Sequence, residues 1–409
     1  MNISNKILSD PINRWVFEHA RRDVFLVGGY VRDLIIGRKS TDRDIVVGGD
    51  IKKYASDLAR QFKGKVITIS RFNIFRVITN KGEFIDLTPL GESIESNLQK
   101  RDFTINSVAW SPETGLIDPF DGLSDIKNKD MRITGKSSFS DDPLRCLRVF
   151  RFAAELNFNI ERSTLIGCEK CSGELTRVAD ERKTDEIIKL LNNTGIASLL
   201  DLMLKINVLH ELTNLNNKII KRNIAKIRLL DEFAHEVKVK YTKTYNSLKL
   251  KEILDNEISQ GMTGRSLIIL SILSIDDNSG NIPLKGFRFS NIIKKRIQLI
   301  QEVLRNVSGH ITQLRLYEML KLANECSEEV AFILSAMKRD FSMEYLKRAQ
   351  DLIRFKNENV FDGFDIQRVM NINQGEHIGK IKEEIERRWF LGELKNEREI
   401  KSFARSNLT

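Results

Sequence analysis

Two glycines near the start of the chain stand where a backbone could bind phosphate. Gly28 and Gly29 follow the short apolar run Val24–Val27 (VFLV), which is typical of a strand, and residues 30–36 have the spacing of a short helix. Glycine lets the backbone approach a ligand closely, and the free N–H groups at a helix N-terminus bind anions. The pair therefore indicates either a phosphate site or an ordinary tight turn.

Two carboxylates follow at a spacing that suits a divalent cation. Asp42 and Asp44 flank Arg43 at the start of an apolar run. Because side chains alternate along a strand, both carboxylates lie on one face, where their oxygens can bind Mg²⁺. An Asp-x-Asp pair also occurs widely on solvated loops. In this order, with a helix between them, the glycines and the carboxylates together predict a nucleotide site that uses metal ions.

The elements that must position these residues change character along the chain. Four further strands are predicted, at residues 45–47, 65–70, 75–79 and 84–87. Residues 51–62 have helical spacing, and from Pro143 onward apolar residues recur at helical spacing with almost no alternating stretch. The sequence thus predicts an α+β head followed by a long all-helical body. Breaks at residues 278–283 and 357–363 are candidate boundaries within that body.

The composition favours a protein of several domains with a polyanionic partner. The 409 residues exceed one ordinary core, and 41% hydrophobic with 30% charged residues excludes bulk disorder. A net charge of +10 and a pI near 9.3 favour nucleic acid or nucleotide as the partner. The most apolar run, residues 266–275, is shorter than the roughly 20 residues that a bilayer requires, and residues 1–20 lack a signal-peptide profile. We therefore expect a cytoplasmic protein without a membrane partner.

Four cysteines are too few for a disulfide framework in a chain of this length. Cys168 and Cys171 form a CxxC, but neither Cys146 nor Cys326 supplies the second pair that a zinc site needs. Thiols on a helix face are the favoured interpretation, and zinc or redox chemistry is disfavoured.

Five segments in order resemble one known family. Residues 26–47 (LVGGYVRDLIIGRKSTDRDIVV) are similar to the head motif of the bacterial-type (class II) tRNA nucleotidyltransferase and poly(A) polymerase family, within the polymerase-β-like nucleotidyltransferases. The four other segments are KRDFTINS at 100–107, DPFDG at 118–122, DDPLRCLRVFRFAA at 141–154 and ERKTDEIIKLL at 181–191. Residues 361–379 look like a C-terminal segment of the family. The resemblance implies a catalytic head at 1–137, a base-recognising neck at 138–200, a body at 201–283 and a tRNA-binding tail at 284–409.

The resemblance also assigns roles to individual residues. It implies that Asp42 and Asp44 hold two Mg²⁺ ions and act in catalysis, with Asp86 either a third carboxylate or a simple strand-end acid. The residues that it implies in nucleotide binding are Gly28, Gly29, Arg32, Arg101, Asp102, Asp142, Arg145 and Arg148. Arg101 and Asp102 match the ribose-reading pair of the family. Lys100 and Asp141 depart from its usual Arg and Glu, and Glu181, Arg182 and Glu186 are expected to brace the base-reading helix.

Asp142 and Arg145 suit the reading of a base edge. Three residues apart at the start of a helix, they share one face. An arginine can donate to O2 and N3 of cytosine or to N1 of adenine, and an aspartate can accept from the amino group of either base. The alternative is structural, since Asp142 before Pro143 is typical of a helix N-cap with proline at the first position. The residues alone favour the cap, and the family resemblance favours base reading.

The predicted function is template-independent addition of C, A or both to the 3′ end of tRNA, from CTP and ATP. Poly(A) polymerase is the alternative within the family, and an inactive RNA-binding scaffold is the alternative of another class. The connection at residues 88–98 is short, whereas relatives that add a complete CCA often have a longer flexible loop there. Addition of CC alone or A alone is therefore a serious possibility. Basic clusters at 218–226 and 285–296 are candidates for phosphate contacts or solvated faces.

Overall fold

The computed structural model describes most of the chain. The described residues are 3–20, 23–70, 73–135, 138–213, 215–276, 286–307, 309–337, 343–357, 363–370 and 376–406. The chain divides into two compact units, which we call the N-terminal unit, residues 1–178 with 206–208, and the C-terminal unit, residues 179–205 with 209–409. The four-part division by sequence stays a prediction. Its boundaries after residues 137 and 283, and the predicted break at 278–283, lie at or outside the limits of the described residues.

The N-terminal unit combines strands with short helices. Its strands are β1 (Val24–Val27), β2 (Arg43–Val47), β3 (Lys65–Ile69), β4 (Ile74–Ile78), β5 (Phe84–Pro89), β6 (Ala109–Ser111), β7 (Gly115–Ile117), β8 (Asp130–Met131) and β9 (Asn159–Ile160). Its helices are α1 (Ile3–Ser9), α2 (Pro11–Glu18), α3 (Gly29–Ile35), α4 (Ile51–Gln61), α5 (Ile94–Gln99), α6 (Gly122–Asn128), α7 (Ser138–Asp141), α8 (Arg145–Leu156) and α9 (Arg162–Cys171). Thr104–Asn106 and Ser172–Arg177 are 3₁₀ turns.

Within the described residues, seven strands form one mixed sheet in the order β3-β4-β5-β2-β1-β6-β7. β2 and β5 are parallel, and the other neighbours are antiparallel. The register places Val27 of β1 opposite Asp44 of β2, and Asp44 opposite Asp86 of β5. Side chains of residues paired in this way point to the same face of the sheet.

The two faces of this sheet are covered differently. On the core face, residues such as Leu26, Ile45 and Ile85 pack with Val16 of α2 and Leu58 of α4 in one buried cluster. On the opposite face, helix α5 covers β1, β6 and the end of β2 with two buried side chains, which pack on the apolar residues there. This second cluster comprises Ile94, Leu98, Phe25, Val27, Val46 and Ala109. The rest of the second face, over β3 to β5, carries exposed side chains, among them Ile67 and Phe84.

From residue 180 onward the described chain is helical apart from one small hairpin. The helices are α10 (Asp180–Leu191), α11 (Ala197–Lys205), α12 (Val208–Leu212), α13 (Asn217–Lys240), α14 (Thr242–Ser247), α15 (Leu250–Asp255), α16 (Gly264–Leu273), α17 (Asn291–Arg305), α18 (Gln313–Ala323), α19 (Ser327–Met337), α20 (Glu344–Asn357), α21 (Gly363–Met370), α22 (Glu376–Leu391) and α23 (Glu397–Ser406). The hairpin is β10 (Glu257–Ser259) with β11 (Met262–Thr263). Every residue of α16 is buried, as the apolar run predicts. No helix of the described residues is long and apolar enough to cross a membrane.

Candidate active site

The glycine turn lies between β1 and α3, and its conformation requires glycine. Gly28 has φ +77° and ψ −141°, a region that residues with a Cβ rarely adopt. A Cβ there would lie 3.2 Å from Oδ2 of Asp44 and would collide with Nη1 of Arg101. Gly29 starts the helix without a positive φ and has only the Arg32 side chain near its Cβ position, at 3.5 Å. The Gly28 backbone is therefore exceptionally close to the predicted carboxylate site.

Asp42 and Asp44 stand at the start of β2, beside the glycine turn. Asp42 is exposed, and the Asp44 side chain is 40% exposed. Burial raises the pKa of Asp44 above its usual value, and the neighbouring carboxylates of Asp42 and Asp86 raise it further, while Arg101 opposes them. A carboxylate whose charge is this poorly compensated fits a site for a divalent cation.

Asp86 lies next to Asp44, but its oxygens are occupied. Nε and Nη2 of Arg76 on β4 donate to its two oxygens, each at 2.7 Å. This hydrogen bonding to Asp86 raises the pKa of Arg76. Within the described residues, no group of three or more His, Cys, Asp or Glu side chains is placed to hold a metal ion. The geometry thus gives Asp86 a defined partner in the protein.

Arg101 lies between the glycine turn and Asp44. Its Nη1 is 3.4 Å from Oδ2 of Asp44, a long contact for an ion pair. Its Nε is buried without a hydrogen-bond partner in the part of the chain that the structure describes. A guanidinium held this loosely beside the glycine turn has donors available for a ligand.

Asp102 points in a different direction from Arg101 and enters a buried network. Its Oδ2 accepts from Nε and Nη2 of Arg148, at 3.0 and 2.7 Å, and its Oδ1 accepts from the Asn106 amide at 2.9 Å. Oδ1 of Asn106 in turn accepts from Nη1 of Arg32 at 2.6 Å. Burial alone would raise the pKa of Asp102, but Arg148, Asn106 and the Phe103 N–H outweigh it and hold that pKa below its usual value. The network connects α3, the 3₁₀ turn Thr104–Asn106 and α8.

Asp142 and Arg145 lie together at the junction of α7 and α8. Helix α8 begins at Arg145 rather than at the predicted Pro143, because residues 142–146 form tight turns, in which Arg145 N–H donates to the Asp142 carbonyl at 3.0 Å. Oδ1 of Asp142 accepts from the Leu144 N–H at 3.2 Å, the kind of contact that a cap residue makes, in the turn that leads into the helix. Nη2 of Arg145 donates to the Lys100 carbonyl at 2.8 Å. The base-reading candidates are thereby connected to the residue before Arg101.

The other matched segments have structural contacts. Asp118 accepts from the N–H groups of Gly122 and Leu123, at 2.7 and 2.9 Å, and so begins α6. A Cβ on Gly122 would collide with the Thr104 carbonyl, which explains glycine at this position. In the C-terminal unit, Glu181 of α10 pairs with Arg288. Bracing of the base-reading helix by α10 stays a prediction.

All four cysteines are buried. Cys168 and Cys171 lie on α9, and Cys146 on α8 is 3.8 Å from the Cys168 carbonyl. Its hydrogen bond with Cys168, together with burial, raises the pKa of Cys146. Burial raises the pKa of Cys171 and that of Cys326 to about 12. These thiols pack in the interior as small apolar side chains do.

Comparisons with known proteins agree with this architecture. A family model described as the poly A polymerase head domain matches residues 24–91 and 87–132, and one described as a probable RNA and SrmB-binding site of polymerase A matches residues 157–215. The chain is 26% identical to the CCA-adding enzyme of Levilactobacillus brevis over 405 residues, 93% of each chain. It is 35% identical to the CC-adding tRNA nucleotidyltransferase of Geobacter sulfurreducens over 192 residues, 45% of each chain.

A solved structure extends the match to the whole chain. The structure of the Thermotoga maritima CCA-adding enzyme complexed with tRNA superposes with a TM-score of 0.73 at 24% identity, over 100% of this chain and 99% of that one. These matches are consistent with the class II tRNA nucleotidyltransferase and poly(A) polymerase family. The predicted α+β head and helical remainder are confirmed. The matches indicate that the protein is a nucleotidyltransferase, a class of enzyme that in this family generally uses divalent metal ions.

The residues that the family resemblance selects form two sets in this nucleotidyltransferase. Gly28, Asp44 and Arg101 lie close together where β1 ends and β2 begins. Arg32, Asp102 and Arg148 belong to the buried network. Sequence reasoning missed Arg76 and Asn106, which hold Asp86 and Asp102. The signal for Arg76 is a single charge in the apolar strand IFRVI, whereas Asn106 lies inside the matched segment KRDFTINS without any pattern that marks its role.

Proposed function

We propose that this protein adds C, A or both to the 3′ end of tRNA from CTP and ATP without a nucleic-acid template. The observation that carries the proposal is the register between β1 and β2, which sets the glycine turn directly beside the strand carboxylates. The naming of full-length relatives as CCA-adding enzymes supports tRNA as the substrate and does not favour poly(A) synthesis.

In this proposal the residues of the glycine turn and the carboxylates at the start of β2 have different roles in the transfer. The N–H groups at the start of α3, with Gly28 and Gly29, seat the triphosphate, and Arg101 donates to its oxygens. Asp42 and Asp44 would hold two Mg²⁺ ions, which when bound would lower the pKa of the primer 3′-hydroxyl and stabilise the charge of the leaving pyrophosphate. The hydroxyl oxygen bonds to the α-phosphorus, the bond to the bridging oxygen breaks, and the hydroxyl proton passes to solvent.

Base selection is assigned to Asp142 and Arg145, supported by Arg148. Arg145 is oriented by the Lys100 carbonyl and by the Ser138 carbonyl, to which its Nη1 donates at 3.2 Å. For Arg32 and Asp102 we propose a positioning role, because both are buried in the network. Arg148 has a side chain that is 31% exposed, so it is the member of the network that a nucleotide can contact.

We further propose that the enzyme adds only part of the CCA sequence. A pocket that accepts cytosine and later adenine has to change shape, and mobile loops accommodate such changes. Here residues 90–93 join β5 directly to α5, whose Ile94 and Leu98 are buried. The Ser93 and Ser96 capping box fixes the start of that helix. A packed helix in place of a long loop supports a narrow nucleotide repertoire. Residues 135–140 (GKSSFS) are a second candidate for such movement in the sequence, and of these, residues 136 and 137 lie outside the described residues.

The deciding experiment supplies three tRNAs, ending at the discriminator base, after one added C and after two. CTP and ATP are given separately and together, and the products are sequenced. Arrest after CC, or activity only on tRNA that already ends in CC, supports partial addition, and efficient synthesis of the full CCA refutes it. Long A tails would identify a poly(A) polymerase, and tRNA binding without any incorporation would identify a scaffold.

Two variants test the base-reading assignment in the same assay. Asp142→Asn keeps an acceptor for the Leu144 N–H, so a purely structural role predicts little change. Base reading predicts a loss of discrimination among the four nucleoside triphosphates of about 1 to 3 kcal/mol, by analogy with direct readout of base edges. Arg145→Ala serves as the second variant. Unchanged relative use of the four triphosphates by both variants would leave only the structural role.

A further inference from the structure

The half of the sheet face that α5 leaves uncovered adjoins the candidate catalytic carboxylates. The register pairs Ile67 of β3 with Arg76 of β4, Arg76 with Asp86, and Asp86 with Asp44. These four side chains therefore form one row on one face. Two residues earlier on β5, Phe84 belongs to the same face. Arg43 pairs with Ile85, and Asp42 and Phe84 each immediately precede this pair in two parallel segments of the chain.

This open face exposes large apolar side chains beside its charged ones. Phe84 is 48% exposed and Ile67 is 42% exposed, although both are in strands of the central sheet. On the core face, by contrast, the alternating residues Ile85 and Leu87 of the same strand are fully buried. When aromatic surface is exposed beside a catalytic centre, we expect the substrate to cover that surface.

The geometry of the proposed transfer places the primer on the side of Asp44 that faces away from β1. The glycine turn and the start of α3 lie on the β1 side of Asp44, and the triphosphate is assigned to them. The attacking hydroxyl must approach the α-phosphorus opposite the leaving pyrophosphate. From Asp44, the side away from β1 is β5 and then β4, which carry Phe84 and Arg76.

Arg76 gives this surface a fixed positive charge, which favours the binding of a nucleotide. Asp86 holds its guanidinium by two hydrogen bonds, and the guanidinium carbon lies 5.5 Å from the centroid of the Phe84 ring. The Arg76 side chain is 38% exposed. An aromatic ring beside a fixed cation is the combination that binds single-stranded nucleic acid, since bases stack on the ring and the cation attracts the backbone.

We propose that Phe84, with Arg76 beside its ring, is the stacking platform for the terminal base of the RNA primer. The platform positions the primer 3′-hydroxyl at Asp42 and Asp44. The inference rests on the proposed function and deepens it, because it assigns the primer, rather than the incoming nucleotide, to this face.

The test is a double-mutant cycle between Phe84 and the primer base. The wild type and Phe84→Ala are compared on a tRNA ending in its first added C, or on a tRNA ending in CC with ATP in place of CTP throughout if the enzyme adds only A. Each is also compared on the same tRNA with an abasic terminal nucleotide that keeps its 3′-hydroxyl. We expect Phe84→Ala to lower kcat/KM for the intact primer on the order of 10-fold. On the abasic primer the two enzymes should be equal. Phe84→Trp should retain the wild-type rate, and KM for CTP should change little in either variant.

Leu116→Ala is the matched control. Leu116 is an exposed apolar residue of the same sheet at 37%, but it lies on the other face and at the other edge, opposite Trp110 of β6. It should behave as the wild type on both primers. Equal losses by Phe84→Ala on intact and abasic primers, no loss at all, or an increase confined to KM for CTP would overturn the platform. A wild type that extends no tRNA would instead overturn the proposed function and the platform with it.

Discussion

Asp44 illustrates how a residue proposed to act in catalysis can oppose stability. Its pKa is raised by burial and by Asp42 and Asp86, so ionisation of Asp44 is disfavoured in the folded protein without metal. The folded state then binds this proton more tightly than the unfolded state, and stability falls as pH rises through the raised pKa. At neutral pH the charge on Asp44 is therefore a cost, which a bound cation would remove.

Asp44→Asn should abolish incorporation and, without metal, raise the melting temperature slightly. The expected gain in unfolding free energy is below about 1 kcal/mol, because water screens a side chain that is 40% exposed. Thermal melts with and without Mg²⁺ and an incorporation assay measure both effects. Asp42→Asn, at an exposed position, should lose incorporation without any gain in unfolding free energy. Near-normal incorporation by either variant would contradict the metal assignment. As pH falls, the affinity of the wild type for Mg²⁺ should begin to weaken at a higher pH than it would with an aspartate of ordinary pKa.

Gly28→Ala should impair nucleotide binding beyond its effect on folding. Its φ of +77° costs about 1 to 3 kcal/mol for a residue with a Cβ, and the added methyl collides with Arg101. Gly49→Ala is the matched control, since Gly49 has φ +79° and no heavy atom within 4 Å of its Cβ position. Both variants should lose stability in denaturant unfolding, but only Gly28→Ala should raise KM for CTP. An equal KM in both variants would reduce Gly28 to a turn residue.

At the scale of elements, local patterns in the sequence were sufficient for most of the head. Short apolar runs and turn residues placed β1 to β5, helical spacing placed α4, and the apolar run 266–275 indicated the buried α16. Helices α1 and α2 and strands β6 and β7 were not predicted, because they are short. Helices α1 and α2 are buried by packing on the sheet, and β6 becomes part of that sheet by pairing with β1.

The candidate site was predicted only as far as neighbours in sequence determine it. The shared face of Asp42 and Asp44 follows from the period of a strand. The pairing of Arg76 with Asp86 depends on the register of β4 and β5, and the contact of Asn106 with Arg32 joins residues far apart in the chain. Such long-range pairings are set by the packing of the whole unit and leave no periodic signal in the sequence.

The network around Asp102 should be essential for the junction of α3, α8 and the 3₁₀ turn between them. Asp102→Ala should cost about 3 kcal/mol of unfolding free energy, near the lower end for a broken buried ion pair, because Arg148 can turn toward solvent. Because the pKa of Asp102 is lowered in the folded protein, the Asp102 carboxylate stabilises the folded state at pH values above its unfolded pKa of about 3.9. This stabilisation is lost as pH falls through the folded pKa.

Denaturant unfolding at pH 7 and pH 3 checks this expectation. The difference in stability between the wild type and Asp102→Asn should narrow at pH 3, because below the unfolded pKa the unfolded chain binds the proton more readily than the native carboxylate does. Asp57→Ala removes one partner of an exposed pair with Arg60 and should change stability by less than about 1 kcal/mol. A pH-independent difference for Asp102→Asn would show that its ionisation contributes nothing to the network.

At the scale of the whole molecule, the net charge of +10 should make tRNA binding strongly dependent on salt. Lys218 and Lys221 are exposed at the start of α13, within the basic cluster 218–226. If each contacts a phosphate, replacing both by alanine should reduce the slope of log affinity against log salt by about one for each lysine. Lys240→Ala, at the other end of α13, is the control, because Glu236 already pairs with Lys240 at 2.8 Å. Equal slopes for the wild type and the double variant would assign the cluster to a solvated face.

The four buried thiols have a practical consequence for following how this protein opens. Maleimides and disulfide reagents react with thiolates, and a buried cysteine with a raised pKa presents almost none to solvent. Modification must therefore wait for the surrounding structure to open. Cys146, Cys168 and Cys171 belong to the N-terminal unit and Cys326 to the C-terminal unit. The order in which these cysteines acquire label gives the order in which the two units unfold locally, in the natural sequence and without an engineered probe.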